Sequence, residues 1–142
     1  MEELPMKFEA GLQDYSGIIA LGEAVKYLKK IGLNNISRHD KKLNKLITES
    51  LINNEKITII GPKDYEKRGS IFSFNIKGMD PHNVSKILET SKNIMTRSGA
   101  HCVHSWFNKH KMKGSVRASF CLYNTEEEAQ IFVDEVKKII RI

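Results

Sequence analysis

Apolar residues recur at steps of three and four from Ser16 to about Lys30, where Ile18, Leu21, Val25 and Leu28 fall on one side. This spacing predicts an amphipathic helix ending near Gly32. A second helix follows at once: Asn34 or Asn35 can cap it, and Ile36, Leu43, Leu46, Ile47 and Leu51 give it one apolar face as far as Asn53 and Asn54. The period then changes. Lys56 to Ile60 is a short β-branched run closed by Gly61-Pro62, and Ser70 to Ile76 alternates so that Phe72, Phe74 and Ile76 share a face, so both read as strands separated by a polar loop.

Asp80-Pro81 supplies an N-cap followed by proline at the first helical position, with Val84, Ile87 and Leu88 as the buried face of a helix to about Ser91. A short strand, Ile94 to Thr96, is expected to run into Arg97. The stretch 116–123 alternates again, with Val116, Ala118, Phe120 and Leu122 on one face and Arg117, Ser119, Cys121 and Tyr123 on the other. Thr125 to Glu128 is a capping box that opens a last helix burying Ala129, Phe132, Val133, Val136 and Ile140. Residues 1–12 read as an extended or loop segment. The layout is two helices followed by β-β-α-β-β-α: an α+β, two-layer fold whose final helices cover one side of a small, mostly antiparallel sheet.

Length and composition narrow the class. With 142 residues, 40% of them hydrophobic and 28% charged, one core is expected, and neither disorder nor a membrane class fits. The start, Met-Glu-Glu-Leu-Pro, lacks the basic and apolar regions of a signal peptide, and no apolar run approaches a spanning helix. A cytoplasmic location is expected. Cys102 and Cys121 are too few for a disulfide framework and suit a reducing compartment. The net charge of +6 permits anionic partners, yet the basic residues are scattered over helix faces and loops with no nucleic-acid motif, so a solvated surface is the simpler expectation.

The candidate chemistry gathers in Arg97-Ser-Gly-Ala-His-Cys102 and the run beginning Val116-Arg117. Gly99 can take backbone angles closed to other residues, and cations near Cys102 favour a thiolate. Cys102 is then either a reactive nucleophile or inert filler, and Arg117 either a carboxylate clamp or a surface cation. The same alternatives hold for Arg97. Cys121, placed mid-strand, reads as filler. His101, Cys102, His104 and His110 are potential zinc ligands, but their spacing matches no closed tetrahedral pattern and no metal is expected. His101, beside the cysteine, has no special claim to be a base. The tripeptide His110-Lys111-Met112 resembles a pyridoxal phosphate lysine setting only by coincidence.

Taken together, several segments resemble the C-terminal part of a pyridoxal-phosphate-dependent cysteine desulfurase or selenocysteine lyase of the class V aminotransferase kind. They are Lys7-Phe8-Glu9-Ala10-Gly11, Gly17 to Gly22, Ile36 to His39, Ser73-Phe74, Asp80-Pro81-His82, Arg97 to Cys102, Arg117-Ala-Ser and Tyr123 to Glu128. The order spans nearly the whole chain.

The resemblance implies the small C-terminal domain of a fold-type I enzyme, carried by residues 51–142 with the catalytic-cysteine loop, preceded over 1–50 by a trailing large-domain segment and connecting helices. It implies that Arg117 binds the substrate carboxylate, with Arg97 and His101 as lesser contacts, and that Cys102 attacks the sulfur of L-cysteine (or the selenium of L-selenocysteine). The products are L-alanine and a persulfide for an acceptor protein. Gly11 and Leu12 match a loop that touches the cofactor phosphate of the partner subunit of a homodimer; Leu12 has no hydroxyl, so its backbone N–H must serve. The Schiff-base lysine belongs to an upstream domain, so the chain is expected to be a truncation that binds no pyridoxal phosphate covalently and has no turnover alone. A stand-alone persulfide carrier is the alternative; a small nucleic-acid-binding domain using Lys109 to Lys113 is a third.

Overall fold

A computed structural model describes residues 3–9 and 11–142. Met1 and Glu2 of the N-terminal reading, and Ala10 of the Lys7–Gly11 motif, lie outside the described residues. The chain divides into two compact units, Met1–Asn35 and Ile36–Ile142.

In the first unit a 3-10 turn, Met6–Phe8, lies within the segment that reads as extended or loop. Helix α1 covers Tyr15–Ile31. Asp14 caps it, its carboxylate accepting from the Gly17 N–H at 2.9 Å. Gly32, at φ +93°, ends it and donates to the Leu28 carbonyl. None of its residues is buried: Ile18 is 60% and Leu21 64% exposed.

Helix α2 covers Leu33–Leu51 and runs from one unit into the other. It begins directly after Gly32, so neither Asn34 nor Asn35 caps it. Asn35 instead donates from its side chain to the Ile31 carbonyl at 2.8 Å, satisfying an acceptor at the end of α1.

The second unit continues with β1 (Ile57–Ile60), β2 (Ile71–Ile76), α3 (Pro81–Lys92), β3 (Arg97–Gly99), α4 (His104–Lys109), β4 (Ser115–Ser119) and α5 (Glu126–Ile140). The sheet order is β1-β2-β4-β3, and each neighbouring pair is antiparallel. The fold is α+β, as the patterning predicts. Three boundaries differ from expectation.

Ile94 to Thr96 is not the third strand. Asn93 adopts a left-handed conformation, and the N–H groups of Asn93 and Ile94 return to the Glu89 and Leu88 carbonyls. Those residues therefore finish α3, and pairing starts at Arg97. β4 stops at Ser119 because Asn124 Oδ1 accepts from the Cys121 N–H at 2.9 Å, folding 121–124 into a turn, so Cys121 is not mid-strand. Finally, 104–109 forms a short helix that the patterning does not predict.

Alternation places Phe72, Phe74, Ile76, Val116 and Ala118 on the core face, buried against α2 through Leu43, Ile47 and Leu51, against α3 through Val84 and Leu88, and against α5. Phe132 of α5 sets its ring edge-on to Phe72 and Phe74, with centroids 6.3 and 5.9 Å away. Such aromatic pairs contribute roughly 0.5–1.5 kcal/mol beyond burial. Half-buried polar links tie α2 to the loop before β2: Asn44 to the Gly69 carbonyl, Arg68 to Thr48, and Ser70 to Asp40. The capping box of α5 is complete, with Thr125 and Glu128 each accepting from the other's backbone N–H. No described helix is long and apolar enough to cross a membrane.

Candidate active site

The sheet face opposite the core carries Ser73, Asn75, Ser115 and Arg117, and the site lies at its β3–β4 edge. Register sets Arg97 against Arg117 and Gly99 against Ser115. Like charges directly opposite each other are destabilising, on the order of the ~0.2–1 kcal/mol that cross-strand pairs carry. Arg117 is half-buried and its Nε has no hydrogen-bond partner. An arginine pair of this kind suits a carboxylate, which would remove the repulsion and fill the open donor.

The loop between the strands is closed at its neck by two glycines. A Cβ on Gly114, itself at φ +153°, would lie 2.6 Å from the Gly99 carbonyl carbon, so only glycine permits this approach. Beyond the neck, His101 and Cys102 both hold left-handed backbone angles, φ 49° and 64°. Non-glycine residues in such regions cost on the order of 1–3 kcal/mol each and need support.

The support comes from His101. Its Nε2 lies 3.1 Å from the Ser115 carbonyl and 3.0 Å from Ser115 Oγ. A carbonyl oxygen only accepts, so Nε2 bears the proton and Nδ1 is left as a buried lone pair without a partner. Burial, and then the Arg117 charge, push the His101 pKa below its ordinary value; Arg97 adds to this, while the Ser115 bond opposes it. The imidazole is thus held neutral, as a fixed strut.

This geometry leaves the Cys102 thiol exposed, with Arg97 Nη2 donating to its sulfur at 3.2 Å. Behind β3, His82 Nδ1 lies 2.8 Å from Ser98 Oγ, joining the strand to the start of α3. The structure therefore brings Arg97, His101, Cys102 and Arg117 together. Gly11 and Leu12 belong to the other unit, where Gly11 turns at φ +75° with open space around it and Leu12 is exposed. Leu12 has no side-chain donor, so only backbone N–H groups of this turn could face a phosphate.

His104 and His110 do not join the site. His110 Nδ1 bonds the Trp106 carbonyl at 2.8 Å and its ring stacks on Trp106 with centroids 4.0 Å apart. Among the described residues no three His, Cys, Asp or Glu side chains converge as metal ligands. Lys111, at φ 54°, terminates α4 while the Met112 N–H returns to the Phe107 carbonyl, so the His-Lys-Met tripeptide is a helix end.

Comparison with known proteins gives the family. The family model for class-V aminotransferases matches residues 1–132. The chain belongs to the aminotransferase class-V family. Among class-V relatives, a probable cysteine desulfurase of Pyrococcus abyssi is 38% identical over 141 residues, covering 99% of this chain and 35% of the relative. One of Methanothermobacter thermautotrophicus is 37% identical over 142 residues, 98% of this chain and again 35% of the relative. The apo cysteine desulfurase of Thermococcus onnurineus NA1 superposes with a TM-score of 0.91 at 38% identity, covering 99% of this chain and 35% of that one. The Escherichia coli desulfurase CsdA, 23% identical with a TM-score of 0.85, shares the fold. The chain thus spans about a third of the length of the class-V relatives it matches.

Sequence reasoning missed Ser115, Gly114 and Phe107. Phe107 is buried against His101, centroid to centroid 6.0 Å, and backs the loop. Paired glycines at 99 and 114 flanking a cysteine were a legible signal for the neck; nothing in the sequence marks Ser115 as the strut's seat.

Proposed function

We propose that this chain is the C-terminal part of a cysteine desulfurase that takes sulfur from L-cysteine, or selenium from L-selenocysteine, and leaves L-alanine. The observation that carries this is Cys102, exposed on a braced left-handed turn with the Arg97 guanidinium on its sulfur and Arg117 across the strand. Arg117 holds the substrate carboxylate, assisted by Arg97. Cys102 attacks the substrate sulfur and becomes a persulfide, which an acceptor protein collects. His101 keeps the loop in place and stays uncharged beside the substrate.

Pyridoxal phosphate, when bound to the complete enzyme, supplies the electron sink that loosens the substrate carbon–sulfur bond. Its lysine lies in the two-thirds of the relatives that this chain does not cover. Residues 1–50 are the trailing large-domain segment, with the Gly11 and Leu12 backbone reaching the phosphate of the partner subunit in a cytoplasmic homodimer, and 51–142 are the small domain. The exposed apolar face of α1 packs on the large domain. The chain alone binds no pyridoxal phosphate covalently and does not turn over.

A second reading, a stand-alone persulfide carrier, is favoured by one observation: the unit bearing Cys102 has its own core. The test is mass spectrometry of the complete protein after incubation with L-cysteine. A gain of one sulfur atom on the Cys102 peptide, with alanine formed and both lost in Cys102→Ala, supports the desulfurase. Sulfide release by the isolated 142-residue chain would refute the division of labour, and a persulfide accepted only from another protein would select the carrier.

A further inference from the structure

Charge is segregated in this chain to a degree that the sheet does not require. Between Glu89 and Glu126 there is no acidic residue, yet the stretch holds six of the 23 Lys and Arg, Lys92, Arg97, Lys109, Lys111, Lys113 and Arg117. The net charge of +6 therefore resides there, and the remainder is balanced. Among the described residues the ion pairs join other parts of the chain; none involves Lys109, Lys111 or Lys113, which are exposed.

The same segment carries apolar surface. Val103, next to Cys102, is 49% exposed and Trp106 is 40% exposed, its ring pinned between His110 and Phe107. A half-exposed tryptophan packed on two neighbouring rings, on the same short segment as three exposed lysines outside the ion pairs, has the composition of an interface centre with a charged rim. Three like charges within five residues of chain repel, and a carboxylate-bearing surface relieves them.

We propose that α4 and the residues around it form the docking surface for an acidic protein that carries a thiol, Trp106 and Val103 making the apolar centre and Lys109, Lys111 and Lys113 the steering rim. This rests on the persulfide reading of Cys102. Transfer needs no oxidant: the partner thiolate attacks the terminal sulfur of the Cys102 persulfide, the sulfur–sulfur bond breaks, Cys102 Sγ leaves as thiolate, and the partner becomes the persulfide.

The experiment does not depend on desulfurase turnover. Cys102 of the 142-residue chain is converted to a mixed disulfide with a small neutral thiol, and its release by two cysteine-containing peptides, one Glu-rich and one neutral, is timed at low and high salt. The expected result is release about 10-fold faster with the acidic peptide in low salt, a preference lost in high salt and in Lys109→Glu/Lys111→Glu/Lys113→Glu. Trp106→Ala should weaken saturation by the acidic peptide while the melting temperature and the alkylation of free Cys102 by iodoacetamide are unchanged, the first of which excludes unfolding. Equal rates for the two peptides, or an unaltered preference in the triple variant, overturn the proposal. So does competition by a single-stranded oligonucleotide at lower concentration than the acidic peptide, which would assign the surface to nucleic acid. Protection of Lys109, Lys111 and Lys113 from acetylation in the complete protein would assign it to the rest of the enzyme.

Discussion

Arg97 and Arg117 stand directly opposite each other across β3 and β4, with no carboxylate paired to either among the described ion pairs. A sheet selected for stability alone would not keep this arrangement. Arg117→Met keeps the stem and removes a half-buried charge. It is expected to stabilise the isolated chain by up to about 1 kcal/mol in low salt, a rise of a few degrees in melting temperature that shrinks as salt is added. The same change in the complete protein should raise KM for L-cysteine. An unchanged or lowered melting temperature across salt would remove the claim that the pair is strained.

Gly114→Ala tests the neck of the cysteine loop. The added methyl lands against the Gly99 backbone, which cannot turn aside as a flexible side chain would. A loss of roughly 1–3 kcal/mol is expected, as for other overpacked positions. Trypsin should cut faster after Lys109 and Lys111 once the loop opens. Cleavage and melting temperature like those of the native chain would mean the strands shift freely to accommodate the methyl.

Phe132→Ala removes the ring that sits edge-on to both Phe72 and Phe74. A loss of about 3–5 kcal/mol is expected in urea unfolding, enough to leave a domain of this size marginal. A loss under about 1 kcal/mol would show that α5 is not what closes the core.

Phe132, with Phe72 and Phe74, was legible in the sequence because periodicity reports which face is buried, and the same is true of Leu43, Ile47, Val84 and Leu88. The capping box at Thr125 and the Asp80-Pro81 start of α3 were legible because side-chain chemistry fixes them locally. The boundaries that failed are set by hydrogen bonds spanning a few residues in directions periodicity cannot see: Asn124 folding the end of β4 and Asn93 finishing α3. Cys102, Arg97 and Arg117 could be named from the sequence, but their opposition across two strands is a matter of register. The seat of His101 on Ser115 joins residues 14 apart and left no local trace.

That seat gives the site a pH dependence whose sign follows from the environment of His101. Burial and the facing Arg117 and Arg97 charges lower its pKa in the folded chain, while in the unfolded chain it returns to about 6.5. Between those two values the unfolded state binds more protons, so stability rises with pH there. The contribution is present above about pH 6.5 and is lost as pH falls through the window toward the lowered folded value. His101→Gln retains an N–H donor for the Ser115 carbonyl but does not titrate. Its melting temperature should therefore fall less steeply than that of the native chain from pH 7 to pH 5, with His39, His82, His104 and His110 common to both proteins and cancelling in the difference. Parallel curves over that range would mean that His101 is protonated as readily in the folded loop as outside it, and that it is not the neutral strut of the cysteine turn.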